Sequence, residues 1–265
     1  MKLTGICLLS AVPMRAEPSE RSEQVSQLLF GDTFAVLRRR EQWLHIRAQA
    51  DDYAGWVSAN TVDLTPEDCP ARPFRVVSVA LAACEVQPAG RVMYLPGGSM
   101  FPDTRAGGDD TAPFLPFRAA GNTYLLDEKA VLPGGRDMAA LAAQYLGAPY
   151  QWGGKTVFGM DCSALLQIAG RMAGIPLPRD ARQQEQCGEP VAFEDAAEGD
   201  LVFFDNASRQ VVHAGILRDR SSVIHASGCV RIDRFDREGI FHVSEKRYTH
   251  HLYSIKRLLS CGTVH

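Results

Sequence analysis

The chain has 265 residues, 46% of them hydrophobic and 22% charged, with a formal net charge of −3. At roughly 100–200 residues per domain this is enough for one large domain or a few small ones, each with a real core. A near-neutral chain with no long run of one charge argues against nucleic acid as a partner, and no apolar run approaches the length of about 18 residues that a membrane-spanning helix needs.

Met1 to Met14 are mildly apolar, but Ile6-Cys7-Leu8-Leu9 reads as an opening β-strand rather than the core of a leader. Seven cysteines are scattered along the chain: Cys7, Cys69, Cys84, Cys162, Cys187, Cys229 and Cys261. An odd number with no CxxC pair predicts no disulfide framework and favours a reducing compartment. The expected location is cytoplasmic; a periplasmic or secreted protein is the alternative if residues 1–16 act as a signal.

Short apolar runs at Gly5–Leu9, Val25–Leu29, Phe34–Leu37, Trp43–Ile46 and Gly55–Val57 alternate with polar turns, which predicts a small all-β barrel over residues 1–66. A second, more weakly patterned all-β segment follows over 67–132, with strands expected at Val76–Leu81, Arg91–Leu95, Phe114–Phe117 and Thr123–Leu126. The Gly-, Pro- and Asp-rich stretch from Pro96 to Pro113 reads as a long surface loop. From residue 133 the character changes to α+β. Helices are expected over Met138–Leu146 and Cys162–Ala173, the second ended by Gly174 and Pro176. Strands are expected at Leu201–Phe204, Val211–Leu217, Val223–Ala226 and Leu252–Arg257.

The chemistry sits in this last segment. Gly159-Met160-Asp161-Cys162-Ser163 joins a glycine-rich turn to an apolar helix. A helix N-terminus favours a thiolate through its aimed N–H groups, and the same groups suit the oxyanion that forms once the sulfur attacks. A thiol nucleophile needs a base on another element. His213 lies inside the apolar run Val211–Ile216, and His225 inside Val223–Ala226. A hairpin turning at Arg218–Ser221 brings the two histidines together, with His225 orienting His213 as the third member of a triad. Either histidine alone is more often a satisfied core residue; the pair behind a helix-start cysteine is a site. His250, His251 and His265 stand outside this pattern and read as solvated or tail residues, and Trp152 as a residue packing the turn before the nucleophile.

Here the residues match a family. Tyr150-Gln151-Trp152-Gly153-Gly154, Gly159–Ser163, Pro178-Arg179-Asp180, Gly199–Phe204, Val212–Gly215 and Ile224-His225-Ala226, in that order and spacing, resemble the NlpC/p60 cysteine peptidases. The resemblance runs from about Asp137 to the C-terminus. It implies a papain-like catalytic domain that cleaves bacterial peptidoglycan stem peptides. Val12–Ser19, Ser22–Val25, Gln27–Gly31 and Gly55-Trp56-Val57 resemble a bacterial SH3-like (SH3b) domain. Two SH3b-like barrels before such a peptidase resemble the γ-D-glutamyl-L-diamino acid endopeptidases that recycle free muropeptides, in which the first SH3b domain restricts substrates to a free N-terminal L-alanine.

Carried over residue by residue, the resemblance makes Cys162 the nucleophile, His213 the base and His225 the polar third residue. Asp161, Ser163, Arg179 and Asp180 fall at positions lining the substrate groove, with Arg179 suited to the α-carboxylate of γ-D-glutamate. Tyr53 matches an SH3b tyrosine that contacts the ligand amine, and Glu17 is a weaker candidate for the same amine. Ala181 departs from the serine that relatives often carry there. The implied partner is an L-Ala-γ-D-Glu-diamino acid peptide, with no cofactor and no metal. Three rivals remain: a zinc hydrolase using Cys162, His213 and His225, disfavoured by the lack of paired-ligand spacing; a non-catalytic peptidoglycan-binding protein; and a general wall hydrolase, amidase or acyltransferase on the same fold.

Overall fold

A computed structural model describes residues 3–65, 74–102, 113–131 and 137–258. The chain divides into two compact units, Met1–Pro133 and Gly134–His265.

The first unit is all β apart from short 3₁₀ turns. Its leading sheet holds β1 (Thr4–Ile6), β2 (Ala11–Arg15), β3 (Gln24–Leu29), β4 (Thr33–Arg40), β5 (Trp43–Ala48), β6 (Ala54–Ser58) and β7 (Asp63–Thr65), in the order β3-β2-β6-β5-β4-β1-β7. Alternation sends Val12, Met14, Leu28, Phe34, Leu44, Ile46 and Val57 into one core. The second segment contributes β8 (Phe74–Val76), β9 (Leu81–Gln87), β10 (Arg91–Pro96), β11 (Met100–Pro102), β12 (Phe114–Ala119) and β13 (Asn122–Asp127). It does not build its core alone: Ile6, Leu8 and Phe30 from the leading part pack with Val77, Val86, Leu95, Phe101 and Tyr124. Phe30 stacks on Phe101 and meets Tyr124 edge-on, and the Met100 N–H donates to the Phe30 carbonyl at 2.8 Å. This corrects the long loop expected from Pro96 to Pro113. Met100-Phe101-Pro102 pairs with β8, and Phe101 is fully buried; residues 103–112 lie outside the described residues.

The second unit begins with α1 (Met138–Ala143), capped by the Asp137 carboxylate on the Ala139 and Ala140 N–H groups. It stops three residues short of the expected Leu146. A small ribbon, β14 (Lys155–Thr156) and β15 (Gly159–Met160), leads into α2 (Cys162–Ala173). Gly154 is required in this turn, because a Cβ there would fall 2.4 Å from the Gly159 carbonyl oxygen. Nearly all of α2 is buried, packed on α1 and on the sheet behind it, and it ends at Gly174 in the left-handed conformation. After α3 (Ala181–Gln184) the chain forms β16 (Glu189–Pro190), β17 (Leu201–Asp205), β18 (Val211–Asp219), β19 (Ser222–Ser227), β20 (Cys229–Asp236), β21 (Gly239–His242) and β22 (Arg247–Arg257), in the order β16-β22-β17-β18-β19-β20-β21. β21 pairs again with β22, so the sheet closes on itself around Val202, Phe204, Leu217, Val223, Phe235 and Ile240. β20 and β21 were not among the expected strands.

Candidate active site

Asp161 is the N-cap of α2 and fixes where Cys162 stands. Its Oδ1 accepts from the Ala164 N–H at 2.8 Å and from the Ser163 hydroxyl at 3.2 Å, and its Oδ2 accepts from the Gly153 N–H at 2.8 Å. Arg179 completes the arrangement with a two-pronged pair, Nη2 to Oδ2 at 2.5 Å and Nη1 to Oδ1 at 3.1 Å, and Nη1 also donates to Ser163 Oγ at 2.8 Å. The arginine is only 1% exposed. This corrects two expectations. Arg179 spends its guanidinium on Asp161 and Ser163 rather than presenting it to a substrate carboxylate, and both oxygens of Asp161 are already engaged within the protein. Together they form a clamp behind the nucleophile. Buried Gln184 adds to it, donating to the Ser163 and Pro178 carbonyls at 2.9 and 2.8 Å. Asp180 stands at the start of α3, half-buried, and its N–H donates to Gln183 Oε1 at 3.4 Å.

Cys162 is buried, and its sulfur accepts from the backbone N–H groups of Ala214 and Ser163. Burial, and then the Asp161 charge, push the thiol up to about 11, outweighing those N–H groups and Arg179. Burial and the Asp161 charge thus oppose the thiolate that the helix-start position of Cys162 favours. Tyr150, whose phenol burial and the neighbouring Cys162 and Asp161 push up to about 12, marks the near edge of the site. Trp152, in the turn before Cys162, is 60% exposed.

The Ala214 contact brings β18 to the cysteine, and His213 is the residue before it. Val211 and His213 share one face of the strand by alternation and are both buried, with Val212 between them exposed. A β-bulge lies beside it: Phe204 pairs with His213 and Asp205 with Val211, which leaves the exposed Val212 as the extra residue. On β19, His225 pairs across from Gly215, one diagonal step from His213. His213 Nε2 and His225 Nδ1 are 2.9 Å apart. Gly215 leaves room for this crossing: a Cβ there would sit 2.6 Å from Val223 and 3.2 Å from the His225 Cβ.

Two members of the site escaped the sequence reading. Asp233 on β20 is buried and takes His225 Nε2 at 2.9 Å, while Arg231 holds its other oxygen at 2.8 Å. Burial alone would raise the Asp233 carboxyl; the bonds from His225 and Arg231 overcome it and hold the group below its usual range. A carboxylate at that end sets the ring protons. His225 carries its proton on Nε2, His213 on Nε2, and His213 Nδ1 is left as the basic nitrogen. The second is His250, which is neither isolated nor solvated. Its ring lies on that of His213 with centroids 4.0 Å apart and planes 24° off parallel. A further bulge, leaving Thr249 unpaired between Ile240↔His250 and Phe241↔Tyr248, aims it there. Burial first, then the nearby histidines, press the His213 pKa well below the usual value; the same causes bring His250 to about 4.

Tyr53 and Glu17 belong to the first unit. Tyr53 is half-buried against the core of the leading sheet, and its N–H is held by Asp51 at 3.1 Å; Glu17 is exposed in the turn after β2.

Comparison with known proteins places names beside this geometry. The NlpC/P60 family model matches residues 147–256, and the model described as the bacterial dipeptidyl-peptidase Sh3 domain matches residues 14–62. The chain is 32% identical over 176 residues to the γ-DL-glutamyl hydrolase of Bacillus subtilis, covering 64% of this chain but 41% of that protein. It is 25% identical over 224 residues to the γ-D-glutamyl-L-lysine dipeptidyl-peptidase of Bacillus cereus, covering 76% of this chain and 66% of that one. The chain thus spans less than two thirds of either relative. A solved NlpC/P60 family protein from Bacillus cereus shares the fold across 97% of this chain and 99% of its own, with a TM-score of 0.82 at 19% identity.

Proposed function

For a chain that carries an NlpC/P60 family domain behind a bacterial dipeptidyl-peptidase Sh3 domain, we propose a thiol peptidase that cleaves the γ-D-glutamyl-L-diamino acid bond of peptidoglycan stem peptides. The observation that carries this reading is the hydrogen-bonded line Asp233–His225–His213, ending at the strand that holds the sulfur of Cys162. Burial raises the thiol and lowers the imidazole, so proton transfer accompanies attack. The Cys162 sulfur bonds to the amide carbon as its proton passes to His213 Nδ1. The imidazolium is stabilised through His225 by the Asp233 charge. The opening N–H groups of α2 face the developing oxyanion. The C–N bond then breaks as His213 returns the proton to the leaving amine of the diamino acid. Water, deprotonated by the same ring, hydrolyses the thioester and frees the cysteine.

The preferred substrate on this reading is a released peptide with a free N-terminal L-alanine, processed in the cytoplasm during cell wall recycling. Asp161 is committed to its clamp, so within this unit Asp180 is the group assigned to the amine. An ammonium taken from water is costly unless it is paired, and carboxylates shaped for it lose that partner when the amine is acylated. Mass spectrometry of the products from L-Ala-γ-D-Glu-diamino acid peptides tests the reading: L-Ala-D-Glu plus the free diamino acid is expected, and no cleavage, or cleavage at another bond, rejects it. N-acetylation of the alanine is expected to lower kcat/KM by roughly a hundredfold. Equal values for the two peptides would make the protein a general wall hydrolase.

A further inference from the structure

Three imidazoles converge in the catalytic unit, and the proton line accounts for two of them. His213, His225 and His250 each bring a ring nitrogen to within 4.8 Å of the others. His250 adds nothing to the relay itself, since its Nδ1 is engaged with Thr249 Oγ1 at 2.9 Å and its ring lies flat on His213. That bond leaves His250 Nε2 as the nitrogen for the cluster. We propose that the three histidines form a regulatory site for a divalent transition metal of the zinc type, held by His213 Nε2, His225 Nδ1 and His250 Nε2, and that its occupancy arrests the peptidase.

The donor set and its surroundings fit. Neutral imidazoles suit zinc, copper and nickel. With zinc–nitrogen bonds near 2.0–2.1 Å, tetrahedral geometry puts ligand nitrogens about 3.4 Å apart. His213 Nε2 and His225 Nδ1 start at 2.9 Å and the whole set lies within 4.8 Å, so the metal must spread one pair slightly and turn the His250 ring off the face of His213, because an imidazole lone pair lies in its ring plane. An outer shell already stands. Asp233 accepts from His225 Nε2, the nitrogen that would face away from the metal, and Thr249 holds Nδ1 of His250. Ligating histidines are oriented by such partners. Phe204 flanks His213 and His250 with ring centroids 5.8 and 5.9 Å away and gives the cluster an apolar wall. The fourth position is left to water.

Arrest follows from the proton positions. His213 Nε2 carries the proton in the working relay; to bind a metal there the ring must move that proton to Nδ1. No proton is lost, but the basic nitrogen that serves Cys162 disappears, and the link to His225 and Asp233 is cut. The metal would be an inhibitor and not a Lewis acid for the reaction.

The test uses the full chain stripped of metal and titrated with Co²⁺, whose visible bands are intense only in tetrahedral sites, with Zn²⁺ affinity read by competition against a chromophoric chelator. One metal per chain is expected, with tetrahedral bands and no thiolate-to-cobalt charge transfer. His250→Phe keeps a ring on His213 while removing the ligand, and is expected to weaken binding at least about tenfold; Asp233→Asn, which loosens the outer shell, by roughly 10–100-fold. His250→Asn covers the case of a misfolded phenylalanine variant, with circular dichroism checking both. Cys162→Ala is expected to bind within about threefold of the parent. Equal affinity in both His250 variants, or loss of the site in Cys162→Ala, overturns the proposal. The inhibitory half rests on the peptidase reading: Zn²⁺ is expected to lower kcat with KM unchanged, reversibly with chelator, and less in His250→Phe. Binding without inhibition overturns that half, whereas a protein with no turnover on any stem peptide would fail the functional reading and leave the cobalt result standing.

Discussion

Two buried aspartates, each held by an arginine, flank the proposed reaction line of the second unit, and they work in opposite ways. Asp161 is closed in by a 1% exposed Arg179, two backbone N–H groups and Ser163. Every partner has a fixed charge at any pH the protein meets, since a guanidinium stays protonated. Asp233 instead meets a partly exposed Arg231 on one side and an imidazole on the other. One network can only hold a shape; the other ends in rings that pass a proton. On the proposed mechanism, Cys162 is placed by a rigid clamp and His213 is tuned by a responsive one. A charge change in the clamp should cost folding, while one in the relay should cost turnover.

The largest effects come from the line itself. Cys162→Ala and His213→Ala are each expected to lower kcat roughly 10⁴-fold or more, with peptide binding retained in calorimetry. Near-full activity in either variant would break the assignment. Arg179→Met tests the clamp. It leaves the Asp161 carboxylate buried without its counter-charge, which costs about 3–5 kcal/mol when a buried pair is broken from one side. Urea unfolding should show that loss. A variant of parental stability whose only defect is a raised KM for peptides with a free γ-D-Glu α-carboxylate would return Arg179 to the substrate groove.

The same contrast explains what could be seen in the sequence. The clamp and the nucleophile come from one contiguous turn-helix signal plus Pro178-Arg179-Asp180, so their positions were legible, though not the direction in which Arg179 spends its charge. The first two histidines sat in apolar runs, where a polar residue stands out. Asp233 did not stand out, because Val230-Arg231-Ile232-Asp233-Arg234-Phe235-Asp236 mixes charge with apolar residues and no burial can be assigned to any one aspartate. His250 was hidden by geometry. In Thr249-His250-His251 nothing distinguishes the inward ring, and the bulge that aims it depends on the pairing of β21 with β22. In the first unit, the Gly and Pro around Phe101 signal a loop, while its burial comes from Phe30 and Tyr124, both distant in sequence.

An intermediate effect is expected from Asp233→Asn. An amide can present its NH₂ to His225 Nε2, which then becomes the acceptor and moves the ring proton to Nδ1. His213 must follow, and its basic nitrogen turns away from the thiol. Directly beside a catalytic histidine such a change costs roughly 10⁴-fold; one ring further out the loss should be smaller, on the order of 10²-fold in kcat with KM unchanged. Asp233→Glu should recover part of it. Equal rates in the parent and Asp233→Asn would show that His225 holds its tautomer unaided. Gly215→Ala should act on the same link, since its methyl would sit 2.6 Å from Val223 and 3.2 Å from the His225 Cβ and so displace β19, and a structure of that variant should show the His213–His225 bond lengthened.

The smallest effect is on stability against acid, and it separates relay from clamp most directly. His250 is held at about 4 in the folded protein, by burial first and then by His225, and His213 is also held below the usual value. In the unfolded chain both titrate near 6.5. Between those values the unfolded state binds more protons than the folded one, so stability rises with pH across that interval. The relay's contribution is fully present above about pH 6.5 and is lost as the pH falls toward 4. No such window attaches to the Arg179 guanidinium. Melting temperatures measured from pH 4 to 8 in the presence of chelator should fall on the acid side in the parent. His250→Phe removes one of the two titrating rings while keeping the stack on His213, so its melting curve should be flatter over the same range. Parallel curves would mean that His250 is free to take up a proton in the folded state, and that the neutral ring stack on the catalytic base does not survive below pH 6.5.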